Sequence, residues 1–298
     1  MASFPTFCCG LLEPCLPQQL VLPTAPSNSV FRQSLDGLAD NPLRRTWRGN
    51  KQGTIELGTV PTFDNPYEER EWIKEHMAAA FRYWGKMGFA EGAAGHITVR
   101  DPVLPDHYWM NPFAEHFSTM TKSMLCLVGP DGYVTKHGAQ LPINTAGFYI
   151  HSAIHKTRPD VKAAAHCHSI SAKAWSAFGR PIEILTQDSC LFYDNHCVYE
   201  NFGGVVLAQE EGENIAKALG PKFKTCILQN HGLLTLGNTV DEAVYLFAAL
   251  DRTMQSPSSW LRPPAANWSQ KDHHLEGGCR IHCQDYSVVG EHVCQLPT

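Results

Sequence analysis

Two histidines separated by a single residue, His166 and His168, constrain the fold of this chain more than any other feature. They end the mostly apolar segment 161–168, which is typical of a buried β-strand. Because alternate side chains of a strand point to the same face, the two imidazoles would lie roughly 7 Å apart on one face. A third histidine, His231, follows the predicted strand 225–228 at a turn beside a glycine. The sequence therefore predicts a cluster of three imidazoles where two strands of one sheet end.

This cluster has the composition of a metal site. Three neutral imidazoles suit zinc, iron or another divalent transition metal, and they suit magnesium or calcium poorly. A site with three protein ligands keeps one coordination position open, as catalytic metal sites do. For His166 and His168 alone, the other interpretation is a pair of hydrogen-bonded core histidines. His231 favours the metal interpretation, because a strand end beside a glycine suits a ligand better than it suits core packing.

Composition limits the partners and the number of domains. The chain has 298 residues, of which 43% are hydrophobic and 18% charged, and its net charge is -5. This allows one substantial core and gives no electrostatic reason to bind nucleic acid or an anionic membrane. No transmembrane run or signal peptide is expected, so the predicted localisation is cytoplasmic. We expect a disordered arm over residues 1–59, a folded domain over 60–255 and an irregular or disordered tail over 256–298.

The folded part alternates irregularly between helical and strand patterns. A helix is predicted from Asn65, which can cap it, to Gly88. Further helices are predicted over 144–156, over 210–219 and from 239 onward, and strands over 95–100, 124–128, 133–135, 161–168, 225–228 and 233–236. This order favours a layered α/β domain whose sheet is mixed or mainly antiparallel. No glycine-rich nucleotide-binding loop follows a strand, so a nucleotide cofactor is not expected.

Five stretches of the chain, taken in order, resemble the class II aldolase/adducin family across about residues 60–255. They are residues 95–102, 109–112, 158–161, 166–169 and 229–233. The resemblance implies a three-layer α/β/α sandwich with a mainly antiparallel central sheet. It also implies a homotetramer that binds a small-molecule substrate in sites between its subunits.

The resemblance also implies the role of the three histidines. In family enzymes such histidines hold a divalent metal, commonly zinc, that stabilises negative charge on a substrate oxygen during carbon–carbon cleavage. We carry this role onto His166, His168 and His231, with iron, manganese and cobalt as the alternatives to zinc.

Two departures from the family's sugar-phosphate aldolases bear on the substrate. Gly147 lies where those enzymes have an acid/base glutamate, which argues against simple sugar-phosphate aldolase activity. His96 and Phe113 replace residues of the family's phosphate pocket, so an unphosphorylated substrate is predicted. A carboxylate of that substrate could pair with His96 or Arg100. The other interpretation of Arg100 is an exposed charge at a strand end.

The resemblance supplies further candidates for the site. Tyr199 resembles a tyrosine that aldolases place near the metal, across a subunit interface, as a proton donor; the alternative is an ordinary half-buried tyrosine. Asp188 is either a substitute acid/base or a turn cap. Asn111, within the stretch 109–112, is a third candidate, for substrate binding.

Three functions remain open on this sequence. The first is a metal-dependent lyase that performs retro-aldol cleavage or decarboxylation on a small hydroxy, oxo or aromatic acid. The second is a non-catalytic, adducin-like cytoskeletal module that binds actin filaments. Residues 252–298 contain a single lysine, Lys271, and so lack the lysine-rich terminus that adducins carry. The third is a non-haem iron oxygenase, because three histidines with open positions also suit Fe(II).

Overall fold

The computed structural model describes residues 49–52, 54–55, 58–201 and 209–255. The predicted tail 256–298 and most of the predicted arm 1–59 lie outside these residues. All of the described residues belong to one compact unit.

Five α-helices and seven strands make up the described chain. The helices are α1 (Pro66–Lys86), α2 (Thr145–Thr157), α3 (Ile170–Ser176), α4 (Gln209–Leu219) and α5 (Val240–Gln255). The strands are β1 (His96–Arg100), β2 (Tyr108–Met110), β3 (Cys126–Val128), β4 (Ala163–Cys167), β5 (His196–Tyr199), β6 (Thr225–Leu228) and β7 (Gly232–Gly237). Short 3-10 helices lie at Phe117–Thr119, Lys122–Met124 and Asp188–Phe192.

The seven strands form one sheet in the order β3-β2-β1-β4-β7-β6-β5. Neighbouring strands pair antiparallel except β5 and β6, which are parallel and are connected through α4. In the centre, His96 of β1 pairs with His166 of β4, and His166 pairs in turn with Leu234 of β7. The prediction of an α/β fold with a mainly antiparallel sheet is confirmed.

The alternation of side chains along the strands gives the sheet two faces, and helices cover both. We call the side covered by α1, α3 and α5 the apolar face. Its core joins Met77, Phe81, Trp84, Trp175 and Phe247 from the helices to Ile97, Val99, Ala163, Ala165 and Leu233 from the sheet. Each large apolar side chain buried here contributes about 1.5–3 kcal/mol of transfer free energy.

The opposite side of the sheet is covered by α2 and α4. Its apolar part joins Ile150, Ile154, Ile215 and Leu219 from the helices to Ala164, Leu234 and Leu236 from the sheet. On β1 and β4 this side also carries His96, Thr98 and His166, which face His151 and His155 of α2. We call it the histidine face. Helices on both faces complete the predicted three layers.

The first helix is specified locally. The side chain of Asn65 accepts a hydrogen bond from the backbone N–H of Tyr67 at 3.0 Å, and Pro66 occupies the first helical position. Both residues suit a helix N-terminus, where free N–H groups need acceptors and proline loses no hydrogen bond. At the other end Gly88 has a φ of 76°, which favours glycine and stops the helix. Among the described residues, no helix combines the length and the apolar character needed to span a bilayer.

Candidate metal centre

The first histidine of the cluster, His166, lies on the buried strand β4, and only 1% of it is exposed. Its Nδ1 donates a hydrogen bond to the carbonyl oxygen of Leu233 on β7, at 2.7 Å. A proton on Nδ1 leaves the lone pair on Nε2, which is the tautomer that a metal ligand needs. The sheet register therefore fixes both the ring and its tautomer.

The second histidine, His168, is the first residue after β4. Its Nε2 lies 3.0 Å from Nε2 of His166. The next residue, Ser169, caps α3 through the backbone N–H of Ala172 and donates a 2.5 Å hydrogen bond to Asp251 Oδ1. Asp251 is fully buried on α5. Through these two hydrogen bonds Ser169 ties the backbone next to His168 to helices α3 and α5.

The third histidine, His231, lies in the tight turn between β6 and β7. Asn230 before it has a φ of 58°, a left-handed conformation that asparagine tolerates better than most residues. The backbone N–H of Asn230 donates to Ser176 O, and that of His231 donates to Leu228 O. These bonds hold the turn over the end of β4.

The three rings converge. The nitrogen atoms available as ligands on His166, His168 and His231 all lie within 4.8 Å of one another, and the ring centroids are 4.7–4.9 Å apart. Nitrogens bound to a tetrahedral zinc at about 2.0–2.1 Å lie roughly 3.3 Å apart, so small shifts would let all three share one ion. The donor set fits zinc, iron or cobalt, and it contains no carboxylate. No other cluster of three potential ligands occurs in the part of the chain that the structure describes.

Burial keeps these rings neutral. It lowers the pKa of His166 well below its usual range, with the nearby His231 as the second cause. The pKa of His231 falls to about 4, again through burial first and His168 second. Burial also lowers the pKa of His168, and the cation of Lys173 adds to the effect. At pH 7 the three rings therefore have lone pairs ready for a metal.

His96 lies beside the triad. It pairs across the sheet with His166, and the two ring centroids are 5.0 Å apart. Burial lowers the pKa of His96 well below its usual range. Asn111 fixes the backbone on both sides of this residue: it accepts from Ile97 N–H and donates to Gly95 O, each at 3.3 Å. The side chain of Asn111 is therefore bonded to backbone, which makes it a support for His96 in this chain.

A short polar chain continues from His96 into the histidine face. The rings of His96 and His151 are 4.4 Å apart. The hydroxyl of Thr98 is 2.8 Å from His151 Nδ1 and 2.9 Å from His155 Nε2. Three histidines are thus buried behind the triad on β1 and α2.

Arg100 is not brought to the triad. It lies four residues from His96 along β1, about 14 Å away at strand spacing. Its guanidinium donates to the carbonyl oxygens of Pro105 and His155 and lies 5.6 Å from the Tyr108 ring centroid. The suggested pairing of Arg100 with a substrate carboxylate at the metal has no support in this placement.

The structure places Tyr199 and Asp188 on elements other than those that carry the three histidines. Tyr199 is on the edge strand β5, where it pairs with Leu228 of β6 and its carbonyl oxygen accepts a hydrogen bond from the backbone N–H of Gln229, two residues before His231. Burial and a hydrogen bond to Glu211 raise its pKa to about 12. Asp188 is exposed at the start of the 3-10 helix Asp188–Phe192. Their catalytic roles stay predictions, and for Tyr199 the family resemblance implies that this role is played across a subunit interface. Phe113 is 45% exposed.

Two charged residues that the sequence analysis did not single out lie near the triad. Lys173 on α3 forms an ion pair with Glu91, and both charges act on the pKa of His168. Lys173 follows the cap residue Ser169 by about one helical turn, so the helical period alone could have placed it on the side of His168.

A mainly antiparallel sheet between two helical layers, with three histidines at its strand ends, defines the class of protein. Residues 75–256 match the family model described as Class II Aldolase and Adducin N-terminal domain. The chain therefore belongs to the class II aldolase/adducin family, as its sequence predicted.

Two relatives and one solved structure are similar over most of their length. Decarboxylase NovR of Streptomyces niveus is 45% identical over 203 residues, which are 68% of this chain and 74% of that protein. The 4-hydroxy-3-prenylphenylpyruvate oxygenase/4-hydroxy-3-prenylbenzoate synthase of Streptomyces roseochromogenus subsp. oscitans is 44% identical over 203 residues, 68% of this chain and 73% of that protein. The structure of L-fuculose 1-phosphate aldolase from Glaciozyma antarctica PI12 matches with a TM-score of 0.63 and 39% identity, covering 78% of this chain and 94% of that one.

Proposed function

We propose that this protein is a metal-dependent lyase that decarboxylates a small, unphosphorylated aromatic acid carrying a hydroxy or oxo group. The observation that carries the proposal is the convergence of His166, His168 and His231 within 4.8 Å, with neutral rings and no fourth protein ligand in their group. Such a site leaves room for a substrate oxygen.

The chemistry requires an electron sink. In decarboxylation the bond to the carboxylate carbon breaks, carbon dioxide leaves, and the electron pair of that bond passes into a π-system that ends at a substrate oxygen, while a proton is added to the carbon that carried the carboxylate. A divalent metal in the triad would supply the Lewis acidity that spreads this charge onto a substrate oxygen. Zinc is the first candidate, with iron, manganese and cobalt as alternatives.

The protein's own residues supply orientation and charge. The carbonyl of Leu233 keeps His166 in the ligand tautomer. Lys173 lies beside His168 with its side chain 41% exposed, but it is ion-paired with Glu91, so a substrate acid would have to compete with that carboxylate for it. It lies nearer to the triad than Arg100 and is the better candidate partner for a substrate carboxylate.

The similarity to a protein named as a decarboxylase, at 45% identity, supports this reaction over retro-aldol cleavage. Gly147 supports it too, because the helix lacks the glutamate that the resemblance associates with sugar-phosphate aldolases. The aromatic substrate class rests on the named substrate of the second relative.

A second candidate is a non-haem iron oxygenase. The specific observation in its favour is the 44% identity to a protein whose name includes an oxygenase activity on an aromatic oxo acid. Three neutral imidazoles can also hold Fe(II), although such a site binds zinc more tightly. In this reaction dioxygen would be the oxidant and would be consumed with the substrate.

One experiment separates the candidates. Purified protein is analysed for bound metals, and 4-hydroxybenzoate, 4-hydroxymandelate and 4-hydroxyphenylpyruvate are supplied with and without oxygen while carbon dioxide and oxygen are measured. A decarboxylase releases carbon dioxide in both atmospheres, whereas an oxygenase needs iron and consumes oxygen. His137→Ala, at an exposed site beyond the edge strand β3, is the control and should behave as the wild type. Metal-free protein that co-sediments with actin filaments would instead establish the cytoskeletal module and refute both enzyme proposals.

We further propose a homotetramer. The ends of the short helix next to the triad expose large apolar side chains, since Ile170 is 71% and Phe178 55% exposed. A contact there would cover both and would bring a second subunit towards the metal. Light scattering that gives the mass of a single chain would contradict this assembly.

A further inference from the structure

The ring of His96 has two nitrogen atoms without a hydrogen-bond partner among the described residues, although only 3% of the residue is exposed. Buried polar atoms are normally paired. Asn111 holds the backbone on both sides of this ring, but it does not bond to the ring itself. Two open hydrogen-bonding positions are thus buried on a ring whose centroid lies 5.0 Å from the centroid of the His166 ring.

The place of this ring is coupled to a glycine on the facing helix. A Cβ atom added to Gly147, in the first turn of α2, would lie 2.6 Å from Cε1 and Nδ1 of His96. The ring cannot easily move aside, because the rings of His151 and His166 lie close to it at centroid distances of 4.4 and 5.0 Å. A side chain at position 147 and the observed position of the His96 ring therefore exclude each other.

This exclusion accounts for the absence of a glutamate at position 147. The site next to the triad can be filled either from the helix, by a side chain at position 147, or from strand β1, by His96. In this chain the strand fills it. A neutral imidazole offers one donor and one acceptor, whereas a carboxylate offers acceptors and a negative charge.

A 2-hydroxy or 2-oxo acid carries two neighbouring oxygens, one on its carboxylate and one on carbon 2. We infer that His96 contacts the substrate at the metal site and binds one of these two oxygens while the other faces the triad. The inference deepens the proposed function and rests on it for the presence of a metal. An imidazole suits an acid better than a carboxylate at position 147 would, because the carboxylate would repel it.

The coupling can be tested without metal or turnover. In a helix alanine is more favourable than glycine by roughly 1 kcal/mol, which is about fivefold in the folding equilibrium, so Gly147→Ala should stabilise a helix that has room for it. We expect Gly147→Ala to lower the melting temperature of the chelator-treated protein. In a His96→Ala background the same substitution should leave the melting temperature unchanged or raise it. Equal effects in the two backgrounds would overturn the coupling.

The contact itself is tested by ligand binding to protein loaded with cobalt(II). Mandelate, a 2-hydroxy acid, should change the visible absorption spectrum of the wild type and of the His137→Ala control. His96→Ala should keep one cobalt per chain and bind mandelate at least tenfold more weakly, and His96→Gln, which retains a donor and an acceptor, should recover part of the affinity. Loss of cobalt from His96→Ala would show that His96 holds the metal, and equal mandelate affinity would show that it contacts no substrate; either result overturns the inference.

Failure of the proposed function gives a different pattern. Wild-type protein that binds no cobalt refutes the metal site and the substrate contact together, while the melting experiment still reports on the pairing of His96 with Gly147. A cobalt-loaded wild type whose spectrum mandelate does not change overturns the assignment to 2-hydroxy acids and leaves the metal site standing.

Discussion

The two faces of one sheet differ sharply in what they bury. Along β1, Ile97 and Val99 enter the apolar face, whereas His96 and Thr98 enter the histidine face. The apolar face gains transfer free energy from every side chain it buries. The histidine face buries neutral imidazoles, some with unpaired nitrogens, and each such atom costs folding free energy. The apolar face therefore carries the larger share of the apolar burial, and the chemistry that the site can support lies on the histidine face.

The largest effect is expected at the centre of the histidine face. His166→Ala removes one of three ligands and should abolish stoichiometric metal binding. The fold should persist, because the apolar face is untouched. Metal analysis and far-ultraviolet circular dichroism measure the two results. A variant that keeps its metal would refute the ligand assignment, and one that unfolds would show that the two faces do not separate function from stability.

The corresponding experiment on the apolar face changes Phe247. This residue is fully buried, and its ring centroid lies 4.7 Å from that of Trp84 and 5.4 Å from that of Phe89. Phe247→Ala should lower the free energy of unfolding by about 3–5 kcal/mol through lost burial and a cavity. Below its melting temperature the variant should still bind one metal per chain. Urea unfolding gives the first value, and loss of metal from the folded variant would contradict the division between the faces.

A smaller effect is expected where the two regions join. Ser169→Ala removes the cap of α3 and the hydrogen bond to the buried carboxylate of Asp251. The expected loss is about 2 kcal/mol of unfolding free energy. Metal affinity should fall as well, since the residue follows His168 directly. Ser169→Thr, which keeps the hydroxyl, is the matched control, and an alanine variant with wild-type stability and affinity would show that this junction does not position the ligand.

The smallest effect concerns pH. Burial lowers the pKa of His155 to about 3 in the folded protein, against about 6.5 in an unfolded chain. Below pH 6.5 the unfolded state takes up a proton that the folded state refuses, so stability is present above pH 6.5 and falls as the pH drops towards 3. His96 and His151 act in the same direction.

His155→Gln should remove one proton from this dependence, or about 1.4 kcal/mol per pH unit below pH 6.5. Urea midpoints from pH 7.5 to 5, measured in the presence of a chelator, compare the variant with the wild type. Parallel slopes would assign the acid sensitivity to other groups.

Much of the sheet could be predicted from residue patterns. The strand predicted over 161–168 is observed as Ala163–Cys167, and the one over 225–228 is observed with the same bounds. The strands Tyr108–Met110 and His196–Tyr199 were not assigned, because three or four residues are too few to show a period. Their places in the sheet depend on pairing with distant segments.

The candidate site likewise combines features that the sequence predicts with features that only the tertiary structure shows. The sequence determined the candidate ligands, their spacing on β4 and the absence of a glutamate at Gly147, because these follow from residue chemistry and the twofold period of a strand. Only the tertiary structure decided that Leu233 sets the tautomer of His166, that Arg100 points away and that the ring of His96 occupies the space above Gly147. These are contacts between elements far apart in the chain, and they depend on sheet register and helix placement, which no local pattern encodes.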